Sequence, residues 1–186
     1  MRYFASEPLR FDSYNNDIVE LATEEDATDM VTLTIERACA FLDAFMQAWL
    51  KVDADAAIAL ISQDFRYWWD PTKAPVTGHD AYREYWLGEG GIQQELDIRW
   101  RDPLVSGNSL AVEIWVTMHY AGAEISDPKS AENAQARGTP PKNITSGGCT
   151  VFDFNEQGLC REMREYRFVS DGTFEAPEAY RNRAIR

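Results

Sequence analysis

The sequence predicts an α+β fold, with three helices followed by an antiparallel sheet and the helices packed on one curved face of it. Two observations carry this. Apolar residues recur at helical spacing from Thr34 to Trp86, and after Gly91 the period switches toward two. A third observation, the absence of internal repeats, makes residues 34–170 a single domain.

The elements follow in order. Residues 1–33 read as an acidic N-terminal extension without a sustained period. In "TIERACAFLDAFMQAWLK", Ile35, Ala38, Leu42, Phe45, Met46 and Trp49 form one stripe, which predicts a long amphipathic helix. Asp53 is placed to cap a shorter helix, "ADAAIALIS", with Ala57, Ile58 and Ile61 inward. The aromatic run "DFRYWWD" predicts a short strand. Thr77, three residues before Asp80, predicts a capped start for a third helix that "GEGG" at 88–91 stops.

The strands come next. "QELDIRWRDP" alternates Leu96, Ile98 and Trp100 against charged neighbours. "SGN" at 106–108 is a turn, and "SLAVEIWVTMHY" puts Leu110, Val112, Ile114, Val116 and Met118 on one face. Residues 123–146 are polar and contain proline, which predicts a long loop. "GGCTVFDF", the turn "NEQG" and "LCREMREYRFV" predict a final hairpin. Residues 171–186 read as a peripheral C-terminal tail.

Composition bounds the function. The chain has 186 residues, is 45% hydrophobic and carries a formal charge of −13. No basic stripe is present to bind phosphates, so neither nucleic acid nor an anionic membrane is expected as a partner. No segment approaches the roughly 18 apolar residues of a membrane span, and the first residues lack the apolar run of a signal peptide. A cytoplasmic location is the expectation. Cys39, Cys149 and Cys160 have no CxxC spacing, and His79 and His119 form no ligand motif. With no nucleotide or metal motif, no cofactor is expected.

The stretches "FLDAFMQAWLKVDADAAIALISQDFRYWWDP", "TGHDAYREYW" and "VFDFNEQGLCREMREY" resemble the nuclear-transport-factor-2-like (NTF2-like) superfamily. Its members include ketosteroid isomerases, SnoaL-type polyketide cyclases and limonene epoxide hydrolases. The resemblance spans most of residues 34–170 and identifies a fold more than a reaction. It implies a cystatin-like cone, in which the sheet wraps around the first helix and leaves an apolar pocket at the open end.

The resemblance also implies site residues. Asp70, just before Pro71, matches the isomerases' proton-abstracting acid. A carboxylate beside Trp68 and Trp69 is expected to be desolvated, with a raised pKa; the alternative is an Asp-Pro turn open to water. The isomerases' helix tyrosine is replaced by Phe45 and their protonated acid by Thr150, so a ketosteroid isomerase is not expected. "MREY" resembles the last strand of epoxide hydrolases and cyclases. Period two then puts Met163, Glu165 and Arg167 on one face, with Glu165 as a pocket acid. His119 shares a face with Glu113, Trp115 and Thr117, opposite the apolar set. It enters the pocket only if the register shifts.

The expected function is therefore a cofactor-independent acid–base enzyme of isomerase, dehydratase or cyclase type, acting on a small apolar oxygenated molecule. Asp70, His119 and Glu165 are the catalytic candidates, and Thr150 or Tyr67 the hydrogen-bond donor. Phe45, Trp49, Trp68, Trp86, Phe152, Met163 and Arg167 complete the pocket. The alternative is a non-catalytic binder of a hydrophobic ligand, or a structural partner subunit. A homodimer through the outer sheet face is expected, because Val151 and Phe152 carry apolar surface to both sides of one strand.

Overall fold

A computed structural model describes residues 32–90, 92–120, 142–180 and 183–185. Most of the 1–33 extension, and most of the loop expected at 123–146, lie outside them.

Helix α1 spans Ile35–Lys51. Thr34 Oγ1 accepts from Arg37 N at 3.3 Å, which satisfies one of the first-turn amides. The helix ends where Val52 turns left-handed at φ 54°. Its stripe of Ala38, Phe41, Leu42, Phe45 and Met46 is buried. Helix α2, Ala54–Ile58, starts at an Asp53 cap whose Oδ1 accepts from Ala56 N at 2.9 Å. It is shorter than the sequence suggested. The helix closes at Ala59, and Ile61 opens a strand instead of facing inward from a helix.

Strand β1 spans Ile61–Trp68, and the two-residue β2, Val76–Thr77, pairs back onto it. Thr77 does not cap the next helix; its hydroxyl donates to Pro75 O at 3.4 Å. Helix α3 runs Gly78–Gly90 and so ends within the glycine run expected to stop it. Then come β3 (Gln93–Trp100), β4 (Leu104–Ser106), β5 (Ser109–Tyr120), β6 (Lys142–Phe154) and β7 (Cys160–Asp171). Strand β8, Arg183–Ile185, comes last. Strand β6 begins at Lys142, so the last residues of the expected loop are sheet.

The strands form one curved, open sheet in the order β2-β1-β7-β6-β5-β3-β8, with β4 paired to β5. The sheet is mixed, not antiparallel, because β1 runs parallel to β7. These two strands are far apart in sequence, so no tight hairpin imposes an antiparallel direction. The inner face carries Leu96, Ile98, Trp100, Leu110, Val112, Ile114, Val116, Phe152 and Met163 onto α1. Aromatic rings lock this contact: Phe41 meets Phe152 edge-on at 5.1 Å and Phe154 at 4.8 Å.

Two further features stand out, and the first corrects the sequence reading. The tail is not peripheral: residues 172–180 lie on the outer sheet face and β8 pairs with the edge of β3. The second feature is Gly148, which faces Arg167 across β6 and β7. It has φ +152°, and a Cβ there would lie 2.2 Å from Tyr166 O. Only glycine allows the two backbones to come this close.

Candidate functional site

A cavity of about 90 Å³ opens between α1, α3, β1, β3 and β7. Phe45 and Trp49 come from α1, Tyr82, Tyr85 and Trp86 from α3, Tyr67 from β1, and Gln93 from β3. Strand β7 adds Met163, Glu165 and Arg167, whose alternate spacing puts all three on the inner face. Pockets for drug-sized ligands enclose roughly 300–1,000 Å³. This one suits a compact molecule or the reacting end of a longer one.

The charged groups are Glu165 and Arg167. Their side chains are only 14% and 11% exposed, and Arg167 Nη2 lies 3.1 Å from Glu165 Oε1. Charges this buried persist only when paired and hydrogen-bonded, and here both are. Tyr67 donates its hydroxyl proton to Glu165 Oε2 at 3.0 Å. The Tyr85 hydroxyl lies 3.3 Å from the Tyr67 hydroxyl. Since the Tyr67 proton is committed to the carboxylate, Tyr85 is the donor in that contact. Arg167 Nη2 also donates to Thr150 Oγ1 at 3.3 Å, and the guanidinium lies 5.0 Å from the Trp49 ring centre. Trp49 Nε1 in turn donates to Gln93 Oε1 at 2.8 Å. Arg167 Nε is buried without a hydrogen-bond partner among the described residues.

Burial, reinforced by the Glu165 carboxylate, pushes the Tyr67 phenol well above its ordinary value, and the same causes act in that order on Tyr82. Both stay protonated through the physiological range, so Tyr67 is a standing donor to Glu165. A carboxylate with its lone pairs directed this way, in an aromatic cavity, can accept a proton from a bound molecule or orient a water.

The structure does not bring the three catalytic candidates together. Asp70 follows the end of β1 and caps its own turn. Its Oδ1 accepts from Thr72 N and from Thr72 Oγ1, each at 2.8 Å. These bonds lower its pKa below the ordinary carboxylate value, the reverse of the expected shift. Strand alternation puts Phe65 and Tyr67 inside, so Trp68 faces outward and borders a shallow outer groove with Pro71, Arg164 and Tyr166. His119 is on the outer face, where its Nδ1 lies 2.7 Å from Asn143 Oδ1. Phe152 and Thr150 are fully buried beneath the cavity and do not line it; Thr150 acts through Arg167. Three lining residues escaped the sequence reading: Tyr82, Tyr85 and Gln93. Tyr82, Tyr85 and Trp86 stand at i, i+3 and i+4, the spacing that marks one helix face. Among the described residues, no three His, Cys, Asp or Glu side chains converge to hold a metal, and no helix is long and apolar enough to cross a membrane.

With fold and cavity in place, the comparison with known families is decisive. The SnoaL-like domain matches residues 42–163. The chain belongs to that family. Solved structures agree on the fold. A putative SnoaL-like polyketide cyclase from Jannaschia sp. CCS1 is 16% identical over 72% of this chain and 85% of its own, with a TM-score of 0.54. SalBIII, described as an epoxide hydrolase/cyclase-like enzyme in pyran ring formation in the polyether salinomycin, is 19% identical over 74% and 91%, with a TM-score of 0.52. An epoxide hydrolase of the LEH-like type from Mycobacterium tuberculosis is 15% identical over 72% and 84%, also at 0.52. At these identities the likeness is one of fold. No curated protein matches the chain.

Proposed function

We propose that this SnoaL-like chain is a cofactor-independent acid–base enzyme of isomerase, dehydratase or cyclase type, acting on a small apolar oxygenated molecule. Glu165, not Asp70 or His119, moves the proton. Tyr67 fixes the carboxylate and Arg167 balances its charge. The observation that carries the reading is the Glu165–Arg167 pair itself. A cavity that served only to hold an apolar ligand would be more stable with hydrophobic residues there, because a buried ion pair returns little net stability. The same pocket without proton transfer would describe the alternative, a binder of hydrophobic ligands. The family supports the reading in that SalBIII and the Mycobacterium protein are described as cyclase-like and epoxide hydrolase enzymes.

We further propose a soluble, cytoplasmic homodimer that meets through the outer sheet face, where Tyr166 and Phe168 are 55% and 50% exposed.

The test is a panel of small cyclic epoxides, ketones and lactones. Wild-type protein is expected to convert at least one. Glu165→Gln should lose on the order of 10²–10⁴ in rate, the usual contribution of a positioned acid or base, while Asp70→Asn keeps the full rate. A Glu165→Gln variant with undiminished turnover would place the proton transfer elsewhere. Saturable binding of panel members without conversion of any would favour the binder.

A further inference from the structure

Gln93 stands in the cavity against the phase of its strand. Trp100, Ile98 and Leu96 are buried against the core, and strict alternation would send Gln94 inward and Gln93 out. A bulge intervenes. Gln94 pairs with His119 and Asp97 with Thr117, so Glu95 and Leu96 together oppose Met118. Glu95 takes φ 51°, a left-handed conformation that favours glycine and strains a glutamate. The extra residue reverses the phase and turns Gln93 to the inner face, where it lines the cavity. Bulges collect beside active sites because they re-aim a side chain in this way.

The bulge aims a donor. Trp49 Nε1 lies 2.8 Å from one end of the Gln93 amide. An indole N–H only donates, so that end is Oε1 and Nε2 is turned away from the indole. Nε2 meets no acceptor among the described residues. Arg167 is held by the same indole, its guanidinium 5.0 Å from the ring centre. Its Nη2 is committed to Glu165 and Thr150, while Nη1, with two N–H groups, meets no acceptor among the described residues. Neither nitrogen is sealed in, since the buried side-chain nitrogens without a partner there are Trp100 Nε1 and Arg167 Nε. The donors that the sequence suggested are committed or out of reach: Tyr67 gives its proton to Glu165, and Thr150 is fully buried beneath the cavity.

We propose that Gln93 Nε2 and Arg167 Nη1 form a two-donor seat for one oxygen of the substrate, and that Gln93 thereby selects carbonyl compounds over apolar molecules of the same shape. The proposal rests on the reading of this cavity as a substrate site. A carbonyl oxygen has two lone pairs and accepts from both donors. A methylene group in its place accepts from neither and leaves both unpaired, which is how a polar site rejects an apolar isostere. The Glu165 carboxylate repels an anion, so the oxygen belongs to an uncharged molecule.

The experiment measures binding by nuclear magnetic resonance, apart from turnover, with cyclohexanone and its isostere methylenecyclohexane as probes. Gln93→Glu keeps an acceptor for Trp49 and takes away the donors; Gln93→Met takes them away without adding a charge. In both variants cyclohexanone should bind about tenfold more weakly than in the wild type, the worth of roughly one hydrogen bond, while methylenecyclohexane binds within about twofold of the wild type. In the wild type, saturating cyclohexanone should shift the Gln93 side-chain amide protons and methylenecyclohexane should leave them in place. Unchanged cyclohexanone affinity in both variants would overturn the proposal. So would an equal loss for the two probes, which would make Gln93 a prop for Trp49 alone. Binding of neither probe to the wild type would overturn it together with the reading of the cavity as a substrate site. The expected binding losses alongside undiminished turnover in Glu165→Gln would leave the seat standing and remove only the role given to Glu165.

Discussion

Tyr67 illustrates how one hydroxyl connects the fold to the site. Its ring is fully packed against Tyr82 and Tyr85, with centroids 5.6 and 5.0 Å away, while its oxygen reaches Glu165. Because burial raises the phenol pKa, its effect on stability has a definite sign. In the unfolded chain tyrosine ionises near pH 10; in the folded chain Tyr67 and Tyr82 still hold their protons there. Above that pH the folded state binds more protons than the unfolded state, so stability falls as pH rises. The prediction is that, of the eight tyrosines in the chain, at least these two fail to titrate with the exposed ones in an ultraviolet alkaline titration. They should ionise only in step with loss of circular dichroism. Two extra phenolates appearing near pH 10 with the fold intact would mean that the rings are open to water. The sequence could not single out Tyr67 from its neighbours. Residues 65–69 carry four aromatic side chains on both strand faces, so hydrophobicity could not choose the phase. Reading Trp68 and Asp70 as inward was an error of one residue, and one residue reverses every side chain of a strand.

At the scale of elements, β7 was legible because its alternation of Met163, Glu165 and Arg167 with charged and aromatic neighbours fixes a phase once the strand is recognised. The helices were legible from periodicity and, for α2, from the Asp53 cap, whose carboxylate accepts from the first turn; the Thr34 cap of α1 was not read from the sequence. The parallel pairing of β1 with β7 was not legible. It depends on tertiary contacts between strands about a hundred residues apart, and no local pattern encodes it. The approach of β6 to β7 at Gly148 is of the same kind, visible in sequence only as a pair of glycines. It yields a test. Gly148→Ala puts a methyl group within 2.2 Å of a backbone oxygen at a φ of +152°, so the strands must part where Arg167 meets Thr150. A loss on the order of 3 kcal/mol is expected in urea unfolding, from overpacking combined with backbone strain. Gly158→Ala, in the hairpin turn with nothing near its Cβ position, should cost less, on the order of 1 kcal/mol for its positive φ of 78° alone. Equal losses at the two positions would mean that the strand approach carries no special constraint.

For the whole molecule, core and cavity are one continuous body of aromatic side chains, and Phe45 belongs to both. It stacks with Phe41 at 6.0 Å, meets Phe152 edge-on at 5.4 Å, and presents its ring to the cavity beside Trp86 at 5.5 Å. In the resemblance to isomerases, this is where a tyrosine donor would stand; here the position has no donor, and the polar side chains that line the cavity include Tyr67, Glu165 and Arg167 from β1 and β7. A residue with this double role sets cavity size by the same packing that holds α1 inside the sheet. Phe45→Ala should therefore lower stability by about 3–5 kcal/mol, the usual cost of truncating a buried phenylalanine. It should also enlarge the cavity enough to admit a bulkier panel member than the wild type does. Phe45→Leu, which leaves a smaller void, should cost less while changing ligand size preference in the same direction. Chemical denaturation measures the first effect and competition among ligands of graded size the second. A Phe45→Ala protein within about 1 kcal/mol of wild type would show that α1 does not rest against the sheet through this ring. Unchanged size preference with the expected loss of stability would show that the wall facing Glu165 and Arg167, not Phe45, limits what enters.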